Sequence, residues 1–209
     1  GSGAREHAFC WKIKQSNLCK HLFVAPGNAG TAKLATNLEI NVSDFREIKK
    51  TILLYKIGIV IVGPEIPLIQ GVTDFIKNDS ELKNILVVGP SKTGAKLEGS
   101  KEFSKLFMEK HNIPTAPYKS FNKKSLKEGD AYLRSIEPPY VLKADGPAAG
   151  KGVLILQDLE EAQTELKNML VNNKFGASGH NVVIEGFLDG IELSCFVLTD
   201  GKSYLTLPN

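Results

Sequence analysis

Two short runs, Ile57 to Val62 and Ile85 to Val88, constrain this chain more than any other feature: both are apolar, rich in β-branched residues, and stopped by Gly-Pro, at Gly63-Pro64 and Gly89-Pro90. Such a run without polar alternation is what a parallel strand covered on both faces requires, and proline ends it because it lacks the N–H that a ladder uses. Helical periods surround them. Asp44 with Glu47 three residues on predicts a helix start, Phe45, Ile48, Ile52 and Tyr55 recur at helical spacing, and a further helix is predicted from Glu65 to about Lys77. Leu22 to Ala25 reads as a short strand ending in Pro26-Gly27-Asn28-Ala29-Gly30, a turn whose glycines and asparagine tolerate positive φ. Strands alternating with helices imply a doubly wound parallel sheet. At the front, Gly1-Ser2-Gly3 runs directly into a helical pattern with Ala4, Ala8 and Trp11 on one face. A glycine turn opening a helix normally follows a strand, so the first strand of the sheet is expected to be missing.

Beyond Ser100 the pattern changes. Phe103, Leu106 and Phe107 mark a lysine-bearing helix closed by Asn112 and Pro114, and a domain joint is placed near Thr115. Leu126, Leu133 and Ile136 predict another helix, and Tyr140 to Ala144 and Val153 to Leu156 predict strands on either side of a glycine loop. Leu159, Ala162, Leu166 and Met169 form a helix stripe, followed by a strand from Val182 to Glu185. Glu192 to Thr199 and Lys202 to Leu207 flank Asp200-Gly201, the dipeptide of a two-residue hairpin turn. This half reads as a smaller, mostly antiparallel α+β unit.

Composition acts mainly by exclusion. Twenty-six Lys and Arg against 23 Asp and Glu leave a net charge of +3, too mild for a nucleic-acid binder. The middle is locally cationic: Lys92, Lys96, Lys101, Lys105, Lys110, Lys119, Lys123, Lys124 and Lys127 face only Glu98, Glu102 and Glu109, which makes either a solvated face or a field that steers a polyphosphate. Cys10, Cys19 and Cys195 show neither C-x-x-C pairing nor histidines at zinc spacing, so incidental thiols in a reducing compartment are expected. No run is long enough for a membrane span and no leader opens the chain, so the expectation is a soluble cytoplasmic protein without membrane or nucleic-acid partners.

Three segments carry candidate chemistry. Gly1-Ser2-Gly3-Ala4-Arg5-Glu6 tempts a dinucleotide reading, but Glu6 stands where the third glycine belongs, and no acid follows at about 20 residues for the ribose. What remains is a glycine turn presenting N–H groups to an anion, or equally a bare turn. Lys143-Ala144-Asp145-Gly146-Pro147-Ala148-Ala149-Gly150-Lys151-Gly152-Val153 places two lysines around three glycines between two strands. It is not a Walker loop, which would end in Gly-Lys-Ser/Thr and lead into a helix; a hairpin lid over a triphosphate fits better, with an exposed glycine hairpin as the alternative. Glu185-Gly186-Phe187-Leu188 with Glu192 could supply an adenine wall and an acceptor for ribose hydroxyls, although a glutamate ending a strand is more often a surface residue.

Taken together with Ala25-Pro26-Gly27-Asn28-Ala29-Gly30-Thr31-Ala32, Val62-Gly63-Pro64-Glu65, Leu97-Glu98-Gly99-Ser100-Lys101 and Ile184 to Glu192, these motifs make the whole chain resemble the glycinamide ribonucleotide synthetase (phosphoribosylamine-glycine ligase) family of the ATP-grasp superfamily. The resemblance implies an N-terminal α/β domain over residues 1–99, a linking helix over 100–114, an ATP-grasp lid subdomain over 115–189, and the start of the central ATP-grasp sheet over 190–209. It implies ATP-driven joining of glycine to 5-phosphoribosylamine through a glycyl phosphate, giving glycinamide ribonucleotide, ADP and phosphate in purine biosynthesis. Residue by residue, Lys101 and Lys143 would contact ATP phosphates, with Lys105 as the alternative to Lys101, while Gly150, Lys151 and Gly152 would form the lid. Glu185, Phe187 and Leu188 would hold adenine and Glu192 the ribose. Gly1, Ser2, Gly3, Gly27, Asn28, Gly30 and Glu65 would face phosphoribosylamine. The family's metal-binding acids, for Mg2+ or Mn2+, and its glycine-binding residues come beyond Asn209, so the fragment alone is expected to be inactive. Pro147 departs from the family's usual leucine in the lid. Another ATP-grasp carboxylate-amine ligase and a non-catalytic nucleotide-binding module are the alternatives.

Overall fold

The computed structural model describes residues 1–148 and 151–207, so Gly150 and Asn209 lie outside the described residues. The first half alternates as the apolar runs demand: α1 (Ala4–Lys14), β1 (Phe23–Val24), β2 (Thr36–Asn37), α2 (Phe45–Leu54), β3 (Ile59–Ile61), α3 (Glu65–Gln70), α4 (Val72–Asn78) and β4 (Leu86–Val88). Asp44 caps α2 as its spacing predicts, accepting the N–H groups of Arg46 at 2.9 Å and Glu47 at 3.2 Å. The single helix expected from Glu65 to Lys77 is two, because Gly71 sits at φ 101°, a left-handed geometry that ends α3 and redirects the chain into α4.

Two expectations for this half are corrected. β3 is not covered on both faces. Val60 and Val62 pack toward the core of Ile52, Val72, Ile76 and Leu82, whereas Ile59 and Ile61 are 58% and 41% exposed and Leu86 on β4 is 60% exposed. Helices α2 and α4 cover one side only, and period 2 sends alternate strand residues to the open side. Nor is α1 held by Ala4, Ala8 and Trp11: all three are exposed, and Cys10 is the buried residue of the helix. Among the described residues the parallel sheet consists of two separate two-stranded pieces, β1 with β2 and β3 with β4.

In the second half, α5 (Lys96–Gly99) and α6 (Lys101–Lys110) lead into β5 (Tyr118–Asn122), α7 (Leu126–Leu133), β6 (Tyr140–Ala144), β7 (Val153–Leu156), α8 (Leu159–Leu170) and β8 (Asn181–Glu185). The four strands form one antiparallel sheet in the order β5-β8-β6-β7. Strand β5 had no expected counterpart: its five residues offer only Phe121 to the core and otherwise read as polar. Leu142, Ala144, Val182 and Ile184 point at α7 and α8 and join Leu133, Leu166 and Met169 in a core with almost no exposure. The chain then runs exposed to a short hairpin, β9 (Val197–Thr199) and β10 (Tyr204–Thr206), around Gly201 at φ 88°. The strands are three residues each rather than the longer pair expected, and Glu192 lies in the connection. Among the described residues, no helix is long and apolar enough to cross a membrane.

Candidate functional site

Strand periodicity builds the site. With Leu142, Ala144, Val182 and Ile184 committed to the core, the alternate residues Val141, Lys143, Val183 and Glu185 must face the other side of the sheet, where α6 lies. Val141 pairs with Glu185 and Lys143 with Val183, so Lys143 and Glu185 are diagonal neighbours on adjacent strands. Their side chains meet: Lys143 Nζ lies 2.9 Å from Glu185 Oε2. From α6, Lys105 Nζ reaches the same oxygen at 3.1 Å and also donates to Thr115 Oγ1 at 2.7 Å and to the Ala116 carbonyl at 3.3 Å. The side chains of Lys105 and Glu185 are 7% and 8% exposed, that of Lys143 28%. Burial of this carboxylate is tolerable because two ammonium groups share it.

Lys101 stands one helical turn before Lys105. Its Nζ makes only long contacts, 3.5 Å to the Asp145 carbonyl and 3.4 Å to that of Gly146. Burial pushes its ammonium below the ordinary lysine value; Asp145 opposes this and the nearby charge of Lys143 adds to it. The two ammonium groups therefore lie close enough to sense one another's charge. The N-terminus of α6 is fixed by Ser100, whose Oγ accepts from Phe103 N–H at 3.0 Å and donates to Asp145, and by Asp145 itself, which accepts from Glu102 N–H at 2.8 Å. Asn181 completes the junction by donating to Glu102 at 2.9 Å. Ser100, Asp145 and Thr115 were not among the sequence candidates. A serine directly before a helix was a legible signal for the first; Thr115 carries none, since its role exists only once α6 folds over β8.

The glycine loop leaves β6 beside these lysines. Gly146 N–H donates to the Ser178 carbonyl at 3.3 Å, and Ser178 Oγ donates to the Pro147 carbonyl at 2.7 Å. The return is closed by Ala144 N–H on the Gly152 carbonyl at 2.7 Å. A Cβ on Gly152 would fall 2.6 Å from that of Ala148, so this residue must be glycine for the two limbs to approach. Lys151 is exposed. Phe187, Leu188 and Glu192 follow β8 on an exposed stretch and make no hydrogen bond or ion pair with the lysine cluster among the described residues. The stretch is anchored at its start, where Gly186 N–H donates to the Pro117 carbonyl at 2.9 Å.

The front turns meet one another some distance along the chain from this cluster. Gly27 N–H donates to the Gly1 carbonyl at 3.1 Å, and Asn28 Nδ2 donates to the carbonyls of Ser2 and Gly3 at 2.9 and 3.3 Å. Asn28 Oδ1 in turn accepts from Gly30 and Thr31 N–H groups. Glu6 folds back to accept Gly3 N–H at 2.7 Å, so the acid that breaks the dinucleotide pattern caps α1. Glu65 is tied to this region by Arg5 at 3.2 Å and borders an open cavity of about 180 Å³ lined by Leu68, Ile69, Pro90, Ala95 and Leu97. Among the described residues, no group of three or more His, Cys, Asp or Glu is arranged to hold a metal ion.

Comparison with known proteins gives this geometry a context. Residues 1–98 match the family described as phosphoribosylglycinamide synthetase, N domain, and residues 99–209 match phosphoribosylglycinamide synthetase, ATP-grasp (A) domain. The chain is 46% identical over 205 residues to phosphoribosylamine–glycine ligase of Pasteurella multocida, covering 97% of this chain and 46% of that protein. It is likewise 46% identical over 209 residues to the ligase of that name from Escherichia coli O6:H1, covering 99% of this chain and 47% of that one. The crystal structure of phosphoribosylamine–glycine ligase from Thermotoga maritima superposes with a TM-score of 0.76 at 33% identity, covering all of this chain and 48% of that chain. The chain thus spans about half the length of the relatives it matches. On matches that run from end to end, and on a fold shared with a solved member, the chain belongs to the phosphoribosylglycinamide synthetase family.

Proposed function

We propose that this chain is the nucleotide- and phosphosugar-handling part of an ATP-dependent carbon–nitrogen ligase that joins glycine to 5-phosphoribosylamine in purine biosynthesis. The observation that carries the reading is the convergence of Lys105 and Lys143 on one carboxylate, Glu185, with Lys101 beside them at the start of the glycine loop. With Lys105 held on Glu185, the partly buried Lys101 and Lys143 place two ammonium groups within electrostatic reach of one another, which suits a polyphosphate. Condensing a carboxylate with an amine needs a leaving group. The glycine carboxylate attacks the terminal phosphorus of ATP, ADP departs, the amine of phosphoribosylamine attacks the acyl carbon, and phosphate leaves as the amide forms.

Within this reaction the chain's own work is positioning and charge neutralisation. Lys101 and Lys143 meet phosphate oxygens, and Gly150, Lys151 and Gly152 close over them. Glu185, Phe187 and Leu188 flank adenine, with Glu192 at the ribose, and the apolar exposure of Phe187 and Leu188 suits such a wall. Gly1, Ser2, Gly3, Gly27, Asn28, Gly30 and Glu65 face the phosphoribosylamine. The stitching of both glycine turns through Asn28 supports treating them as one site. The divalent cation that phosphoryl transfer uses finds no donor set among the described residues. We assign its ligands and the glycine-binding groups to the counterpart of the relatives' remaining half, with residues 1–99, 100–114, 115–189 and 190–209 as front domain, linking helix, lid subdomain and first part of the central sheet. The family boundary at residues 98 and 99 supports this division. A cytoplasmic location, with neither nucleic acid nor membrane as partner, accompanies the reading.

The test is ADP release by the complete protein: it should require both glycine and phosphoribosylamine. Release that proceeds equally without the amine, or with an unrelated acid in place of glycine, would point to a different ligase.

A further inference from the structure

Two lysines of α6 are chemically interchangeable in the sequence but not in the fold. Lys105 donates hydrogen bonds to Thr115 Oγ1 and the Ala116 carbonyl, is ion-paired with Glu185 Oε2 at 3.1 Å, and is almost wholly buried. Its ammonium also sits 5.5 Å from the centre of the Tyr118 ring. With only 7% of its side chain exposed, its ammonium is engaged by these groups and presents little surface to a ligand. Among the described residues Lys143 has one partner, the same Glu185 oxygen, and its side chain is four times as exposed, 28% against 7%.

We propose that Lys105 is a positioning residue, the standing counter-ion of Glu185, and that it acts on the nucleotide by releasing Lys143. The argument is one of charge. If Lys143 alone neutralised Glu185, drawing it onto a phosphate would strand a buried carboxylate, at a large penalty. With Lys105 held in place by Thr115 and Ala116, Lys143 can leave and the carboxylate stays paired. Lys105 reaches Glu185 from the joint between α6 and β5, so it also pins the strand end from which the Gly186–Leu188 segment departs. The inference rests on the ATP reading above, and deepens it by assigning Lys101 and Lys143, not Lys105, to the anion.

ATP affinity of the complete protein, measured by titration calorimetry, decides the matter in four forms: wild type, Lys105→Met, Glu185→Gln and the double variant. Lys105→Met alone should weaken ATP binding about tenfold or more, the scale of one charged hydrogen bond. Added to Glu185→Gln, it should change affinity by less than about threefold, because no carboxylate then needs a counter-ion. An equal loss in both backgrounds means that Lys105 touches phosphate directly and overturns the proposal, as does no loss in the single variant. If the variants do not fold, wild-type protein crystallised with a non-hydrolysable ATP analogue gives the answer. Lys105 Nζ should remain on Glu185 and Thr115 with Lys143 drawn off Oε2, whereas Lys105 within hydrogen-bond distance of a phosphate refutes it. A wild-type protein that binds no adenine nucleotide defeats the ATP reading instead. The counter-ion role is then judged by unfolding, where Lys105→Met and Glu185→Gln should be non-additive and strict additivity would sink it.

Discussion

The two halves of the molecule use the same ingredients, short apolar strands and amphipathic helices, with opposite results. In the half built on β5 to β8, antiparallel strands pair side by side, and the sheet buries Leu142, Ala144, Val182 and Ile184 completely under α7 and α8. In the front half, parallel strands stay in two pieces and Ile59, Ile61 and Leu86 remain open. Only β6 and β7 are joined by a short loop, but all three pairings of this sheet are antiparallel and it needs helices on one face alone, whereas parallel strands need a crossover and cover on both faces. The lesson is that a site can be pre-built where the sheet is complete. The lysine–glutamate cluster is largely buried, whereas the pair at the front turns, Arg5 with Glu65, is 62% and 43% exposed; away from those turns the front half also holds a more enclosed pair, Lys49 with Asp79, at 25% and 17%.

That contrast can be attacked at several strengths. The largest effect is expected at Glu185: replacement by alanine leaves the buried ammonium of Lys105 and the partly exposed one of Lys143 without their carboxylate and should destabilise the protein by about 3–5 kcal/mol in urea unfolding. Glu65→Ala, in the exposed pair, should cost less than about 1 kcal/mol. Similar losses at the two positions would erase the distinction between the halves. Next comes packing. Leu166→Ala in the fully buried core should cost about 2–5 kcal/mol, and Ile59→Ala on the open face of β3 about 0.5 kcal/mol or less. A large loss at Ile59 would show that the open face is covered in the folded protein.

Function sharpens the comparison further. Lys143→Ala in the complete protein should remove about 1.5–3 kcal/mol of ATP interaction, the range for hydrogen bonds to charged groups, and unchanged affinity in calorimetry would remove Lys143 from the phosphate site. The smallest expected effect concerns pH. Lys101 has a folded-state pKa below its unfolded one, chiefly through burial, so between the two values the unfolded chain binds more protons and stability rises with pH. Below that window the penalty of burying the charge is fully present. ATP affinity should move the other way, falling as Lys101 loses its proton. Lys101→Arg, which stays charged, should flatten that alkaline decline, and a decline that persists unchanged would assign it to another group.

Much of this was legible in the residues. Helix α2 begins where Asp44 and Glu47 said it would, and β6 and β7 have the limits that Tyr140–Ala144 and Val153–Leu156 suggested, because capping chemistry and apolar runs are local properties. Strand β5 was not legible. Its one buried apolar side chain, Phe121, gives no periodic signal, and its identity as a strand comes from pairing with β8, more than 50 residues away. The exposure of Ile59 and Ile61 was likewise hidden, since an apolar run reports what a strand could bury and not what covers it.

The candidate site divides along the same line. Sequence by itself determined which side chains can carry charge to a phosphate, and that Lys143, the glycine loop and Glu185 belong to one α+β unit. Only the tertiary structure decided that Lys105 is consumed by Thr115, Ala116 and Glu185 while Lys143 keeps donors to spare. The reason is physical. A lysine's chemistry is set by its formula, but the number of acceptors around its ammonium is set by what other segments bring within 3 Å or so, and that is known only after α6 has closed over the sheet.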